Sequence, residues 1–241
     1  MTVTNTQTGT NIAEIAEGIY RINTPLDAVP GGFSFNQYLI ADDEPLLYHT
    51  GLRKLFPLVR EAVAHVLPVE HLRYIAFSHV EADECGALNQ WLAAAPQAVP
   101  VCSRIAALTS IEDLADRAPR ALADGERLRL GRHVVEWFDT PHLPHGWETG
   151  LMMEESTRTL LCGDLFTQPG ANTPPLTESD ILEPSEALRG GLDYFAHARN
   201  TRTMLERLAA TEPQTLACMH GSAWRGEGAA LLRALADRLD K

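Results

Sequence analysis

Apolar positions along the chain follow two periods, and each well-defined stretch predicts an element. Leu55, Leu58, Val59, Ala62, Val63 and Val66 fall at helical spacing and predict a helix over 55–67. The run Leu72 to Ser78 has the length and apolar character of a buried strand. Gly86 to Ala95 reads as a helix with Leu88, Trp91 and Leu92 on one face, Val99 to Cys102 as a strand, and Ile105 to Asp116 as a helix. Glu126 to Leu130 and His133 to Phe138 alternate as a hairpin turning at Gly131, and Leu151 to Glu154 pairs with Thr159 to Cys162. Ile12 to Thr24 and Phe33 to Gly51 suggest short strands with turns, while Tyr194 to Ala210 and Glu227 to Leu239 suggest closing helices. Residues 1–10 are polar and are expected to be disordered. The stretch Phe166 to Gly191, rich in Pro, Gly, Thr and Ser, is expected to be a long loop, either a lid or wall beside a site or a surface excursion. Two β-rich halves, each with helices, fit an α/β fold of the αββα sandwich type, as a single domain over 11–241.

Chemistry concentrates where strand-like runs end. His79-Val80-Glu81-Ala82-Asp83-Glu84 follows the Leu72–Ser78 strand directly. One imidazole and three carboxylates make a hard, anionic donor set, better suited to iron or manganese than to a thiolate-type metal. An acidic solvated loop with one incidental histidine is the plain alternative. Three further loops weigh against it: Asp139-Thr140-Pro141-His142-Leu143-Pro144-His145-Gly146, Cys162-Gly163-Asp164 and Cys218-Met219-His220-Gly221. Each sets a ligand-capable side chain beside Gly or Pro at the end of an apolar run, where the backbone can turn sharply.

The order H-x-E-x-D, then a histidine in a Pro-containing loop, then Gly-Asp-Leu-Phe, then His-Gly resembles the metallo-β-lactamase fold. More narrowly it resembles the di-iron domain of flavodiiron proteins and related oxygen-binding di-iron proteins. Asn36-Gln37-Tyr38-Leu39-Ile40 followed by Pro45 to Gly51 is similar to the early strand pair of that fold, so the resemblance covers nearly the whole chain. The hydrolytic branch carries H-x-H-x-D-H. Glu81 replaces its second histidine, as in the di-iron branch, whereas Glu84 stands where that branch usually keeps histidine.

The resemblance implies a role for each residue. His79 and Glu81 would bind one metal with His145, Asp164 would bridge, and Asp83 and His220 would bind the other. Glu84 would complete the second site or lie just outside it. His142 competes with His145; His145 is preferred because His145-Gly146-Trp147-Glu148-Thr149 before a strand resembles the family's ligand loop. His142 and Cys85 would then lie beside the ligands, and Trp147 would wall the site. The implied cofactor is a pair of iron ions, with manganese or zinc as alternatives, and the implied substrate is dioxygen or nitric oxide. No flavin module is visible in the chain, so electrons would come from a separate donor protein; a homodimer is compatible with the pattern. The rival functions are a metal-dependent hydrolase of esters, lactones or thioesters, and a non-catalytic oxygen sensor. Glu81 in place of histidine favours iron over the hydrolase.

Composition narrows the field further. Twenty Lys and Arg against 32 Asp and Glu give a formal charge of -12, which argues against nucleic acid or an anionic membrane as partner. No apolar run approaches the ~20 residues of a membrane span. The four cysteines form no C-x-x-C pair, which fits reduced thiols and a cytoplasmic location. Met1 to Thr10 lacks the features of a secretory signal.

Overall fold

A computed structural model describes residues 1–240. The first half forms an eight-stranded sheet whose spatial order follows the chain: β1 (Thr2–Val3), β2 (Asn11–Ala16), β3 (Ile19–Leu26), β4 (Phe33–Ile40), β5 (Leu46–Tyr48), β6 (Tyr74–Ala76), β7 (Val99–Ser103) and β8 (Arg120–Leu122). Strands β1 to β5 form an antiparallel meander, and β5 to β8 run parallel. The second half forms a seven-stranded sheet from β9 (Arg127–Arg129), β10 (Val134–Asp139), β11 (Gly150–Glu154), β12 (Thr159–Leu161), β13 (Leu176–Thr177), β14 (Thr215–Ala217) and β15 (Ala223–Arg225). Its order is β13-β15-β14-β12-β11-β10-β9, with β12 and β14 parallel.

The period-2 pattern explains the layering. Side chains of adjacent strand residues point to opposite faces. Tyr38, Ile40, Tyr48, Ala76, Trp137, Met152, Leu161 and Ala217 therefore meet between the two sheets. Their neighbours Leu39, Leu47, Ile75 and Phe77 face the helices Phe56–Ala64 and Leu88–Ala94 on the first sheet's outer side. On the other outer side, Phe138, Leu151, Met153, Leu160 and Leu216 pack against the helices Thr201–Ala209 and Gly228–Leu239. The result is helix, sheet, sheet, helix, the expected αββα sandwich. Among the described residues no helix is long and apolar enough to cross a membrane.

Four local expectations need correction. Residues 1–10 are ordered: Thr2 and Val3 pair with Ile12 and Asn11, and Thr4 and Asn5 N–H donate to the Thr10 carbonyl. Backbone pairing on a sheet edge needs no apolar side chains, so the polar sequence concealed it. The Phe166–Gly191 stretch is not one loop, because Leu182–Leu192 is helical; Pro184 sits in its first turn, where a missing N–H costs nothing. The helix expected from Tyr194 begins at Thr201, because Asp193 and His197 take left-handed φ values of 47° and 50°. Finally, the expected Ile105–Asp116 helix is a helical stretch over 104–114 with one wide turn at Ala107–Ile111, started by Ser103 Oγ accepting from Ala106 N–H at 3.0 Å.

Candidate metal centre

The ligand-bearing loops leave their strands along one edge of the sandwich. β5 and β6 are parallel with Tyr48 opposite Ala76, so His49 and the His79 loop exit side by side. β12 and β14 are parallel with Leu161 opposite Ala217, so Asp164 and His220 do the same on the second sheet. His145 comes from the β10–β11 connection, whose strands close at Asp139 opposite Gly150. Gly146, at φ +76°, lets that connection pass the first sheet: a Cβ there would stand 2.6 Å from Thr149 Oγ1 and 3.3 Å from the Cβ of His79.

Seven expected residues converge on this edge. His79, Glu81, His145 and Asp164 each offer a donor atom within 4.8 Å of the others, and Glu81, Asp83 and Glu84 form an overlapping group. His79 Nε2 and His145 Nε2 stand 2.9 Å apart, and each lies 3.1 Å from Glu81 Oε2. Asp164 divides its oxygens: Oδ2 lies 3.7 Å from His79 Nε2 and 3.3 Å from His145 Nε2, while Oδ1 lies 3.4 Å from His220 Nε2. His220 Nε2 also stands 3.5 Å from Asp83 Oδ2. Glu84 is fully enclosed, with Oε2 4.0 Å from His79 Nε2.

Hydrogen-bond accounting tests whether these groups suit cations. His145 Nδ1 donates to the Tyr194 carbonyl at 3.1 Å, and His220 Nδ1 donates to the Ser34 carbonyl at 2.9 Å. A carbonyl only accepts, so Nδ1 carries a hydrogen in both rings, and Nε2 is the nitrogen each turns toward the carboxylates and leaves for a cation. This is the usual preparation of a metal-binding histidine. Both oxygens of Glu84 and Oδ1 of Asp164 are buried without a hydrogen-bond donor. Unpaired buried carboxylate oxygens cost free energy that an apolar core would not incur, and a cation between them removes the cost. The residues fit a hard metal pair.

Without cations the charges strain against each other. Burial, then Asp164 and Asp83, push the Glu84 carboxyl well above the usual carboxylate range. Burial acts the same way on Asp164, but His220, His79 and His145 more than reverse it, and this carboxyl lies below its ordinary value. Glu81, held by His145 and His79, is pulled down to about 2. Burial opposes charging of His145 and His220, yet their carboxylate neighbours outweigh it and raise both.

Two expected neighbours, His142 and Trp147, lie elsewhere, while Cys85 stays beside the ligand run. His142 is exposed at φ 68°, and its backbone closes the loop through Gly146 O; it joins no donor group. Trp147 is 59 % exposed and borders a cleft with Ser103, Ile105, Asp139 and Pro141 that contains none of the seven residues. Cys85 hydrogen-bonds the Glu81 carbonyl at 3.3 Å, and burial pushes its thiol up to about 12. The long stretch after Asp164 starts beside the centre. Thr167 and Gln168 are buried, and Gln168 braces the His220 loop through the carbonyl and N–H of Ser222.

Two supporting residues lay outside the expected set. Glu148 Oε1 accepts the Val80 N–H at 2.9 Å and so fixes the middle of the His79 loop. His49 is buried behind His79; burial lowers its pKa to about 3. The signal for His49 was its place at the end of β5, the parallel neighbour of β6.

The αββα sandwich is the metallo-β-lactamase-like fold. Residues 33–221 match the model described as ODP family beta lactamase, and the chain belongs to that family. It is 29% identical over 199 residues to diflavin flavoprotein A 1 of Thermosynechococcus vestitus, covering 80% of this chain and 34% of that protein. It is 24% identical over 206 residues to rubredoxin-oxygen oxidoreductase of Megalodesulfovibrio gigas, covering 82% of this chain and 50% of that one. The chain thus spans between a third and a half of these curated relatives. The flavodiiron protein from Giardia intestinalis superposes with a TM-score of 0.81 at 20% identity, over 95% of this chain and 59% of that one, which shows the shared fold.

Proposed function

We propose that this chain holds two iron ions and acts on dioxygen or nitric oxide with electrons from a separate donor protein. In this reading His79, Glu81 and His145 hold one ion, Asp83, Glu84 and His220 hold the other, and Asp164 bridges them. The observation that carries it is the division of Asp164, one oxygen toward His79 and His145 and the other toward His220. When bound, two ferrous ions supply electrons to a diatomic gas. The chain's part is to hold bare Nε2 atoms and carboxylates in fixed positions, with Glu84 adding a negative group that favours the oxidised, more highly charged metal. Its relatives' names agree: the M. gigas protein is called a rubredoxin-oxygen oxidoreductase.

The test is anaerobic loading with ferrous iron, elemental analysis and Mössbauer spectroscopy, followed by oxygen consumption with a supplied reductase. Close to two irons per chain and reductase-dependent uptake are expected. A reversible spectral change without consumption of reductant would instead identify a sensor. A protein that takes only zinc in competition with iron, and hydrolyses esters, would sink the di-iron reading. The proposal assigns no flavin to these residues, so stoichiometric FMN retained through gel filtration would contradict that part.

A further inference from the structure

Behind His79 runs a hydrogen-bonded line that reaches away from the cluster. His79 Nδ1 meets Ser78 Oγ at 2.8 Å, Ser78 Oγ meets His49 Nε2 at 3.1 Å, and His49 Nδ1 meets Met219 Sδ at 2.9 Å. All four residues are buried. The His49 backbone takes φ 65°, the left-handed region, which histidine enters more readily than most side chains. The next residue locks the turn: Thr50 Oγ1 accepts the Ala87 N–H at 3.0 Å, and the Thr50 carbonyl accepts Trp91 Nε1–H at 3.0 Å.

The chemistry of the far end sets every proton in the line. A thioether cannot donate and accepts weakly, so the His49 nitrogen facing Met219 must carry hydrogen; two opposed lone pairs would repel. A neutral ring protonated at Nδ1 has a bare Nε2, which accepts the Ser78 hydroxyl. Ser78 Oγ then accepts from His79 Nδ1–H. His79 is left with a bare Nε2, directed at Glu81, at Asp164 and at His145 Nε2, which at 2.9 Å either donates its own hydrogen to His79 or shares a cation with it. His145 and His220 have their Nδ1 hydrogens fixed by backbone carbonyls instead. His79 alone depends on side chains.

We propose that His49 is a positioning residue which, through Ser78, fixes the tautomer and orientation of His79, and that it does so without adding charge. A carboxylate in its place would orient the ring equally well but would bring a fifth anion to a cluster that already has Glu81, Asp83, Glu84 and Asp164. The neutral relay orients the ligand and leaves the centre's charge to the residues that face it.

The test uses the full chain with 15N-labelled histidine, probed without metal and with zinc alone, which is diamagnetic. Long-range 1H–15N spectra should show His79 protonated at Nδ1 in the wild type. In His49→Ala and Ser78→Ala this preference should be lost, and zinc affinity measured against a chelator should fall by about 10–100-fold, the usual effect of removing a ligand's outer partner. His49→Gln, whose Oε1 can accept from Ser78, should restore most of the affinity. The double variant should be no worse than either single one, because both break the same line. Thermal unfolding of each variant separates the relay from simple packing: a packing role moves the midpoint and leaves the His79 tautomer alone. An unchanged tautomer in both alanine variants would overturn the proposal, as would additive losses in the double variant. The affinity measurement rests on the metal reading above; the tautomer measurement on metal-free protein does not, so a wild type that binds no metal defeats that reading while still deciding this one.

Discussion

The two ends of the cluster are built from different materials. At one end two imidazoles, His79 and His145, face Glu81, whose side chain is 52 % exposed. At the other a single imidazole, His220, faces Asp83, with the fully enclosed Glu84 close behind and both of its oxygens unpaired. The first end is nitrogen-rich and open to water, which screens its charge. The second is oxygen-rich and shut, so every charge there acts through low dielectric. One edge of one fold thus brings together two chemically distinct groups of donor atoms. Asp164, with an oxygen toward each, is what they share.

The largest effect should come from removing what is shared. Asp164→Ala should reduce loading from about two ions to one or none, read by elemental analysis after gel filtration; two ions retained would show that the ends are independent. Next come substitutions at one end only. His145→Ala should lose about one ion, while His142→Ala keeps both, because His142 is exposed and joins no donor group. Reversed outcomes would mean that the loop presents the other histidine in solution.

A subtler difference appears in metal-free protein as a function of pH. The folded pKa values of Glu84, His145 and His220 all lie above their ordinary values. Between ordinary and folded values the native state binds more protons than the unfolded state, so stability falls as pH rises through that window. Glu81 and Asp164 shift downward and contribute stability that is lost in acid, below the ordinary carboxylate range. The melting temperature without metal should therefore peak on the acidic side of neutrality. Glu84→Gln should flatten the decline above about pH 4.5, the ordinary glutamate value, and raise the melting temperature at pH 7. An unaltered profile would mean that Glu84 is relieved by something other than a cation. The smallest effect is expected at Cys85, whose thiol burial pushes up to about 12. Alkylation at neutral pH should be slow and Cys85→Ser should leave metal content unchanged; rapid modification would show that the loop opens.

Much of this was legible in sequence for a definite reason. A strand followed by glycine is a local signal, and β6, β12 and β14 each carry one or lie directly before a ligand run, so His79, Asp164 and His220 stood out. The sandwich followed from alternation, as Tyr38 and Leu39 facing opposite layers illustrate. What was not legible depends on pairing at a distance. Thr2 and Val3 become a strand only because Asn11 and Ile12 lie alongside. His49 has no motif of its own; its meaning comes from β5 lying parallel to β6. Glu148 matters because the Val80 N–H, from the other sheet's loop, needs an acceptor. The helix at 182–192 was hidden by composition, since Pro184, Gly190 and Gly191 read as loop residues while occupying its ends.

The arrangement of the ligands across the two sheets has a mechanical consequence. His79, Glu81, Asp83 and Glu84 follow a strand of the first sheet, while His145, Asp164 and His220 belong to the second. Ions held among them would stitch the open edge of the sandwich, joining segments that are far apart along the chain. Such a stitch can close only after both halves have folded, so it would do little to guide folding and would chiefly slow the halves from parting afterwards. Metal status would then be written into the lifetime of the fold, with a chelator shortening survival against protease and restored metal lengthening it.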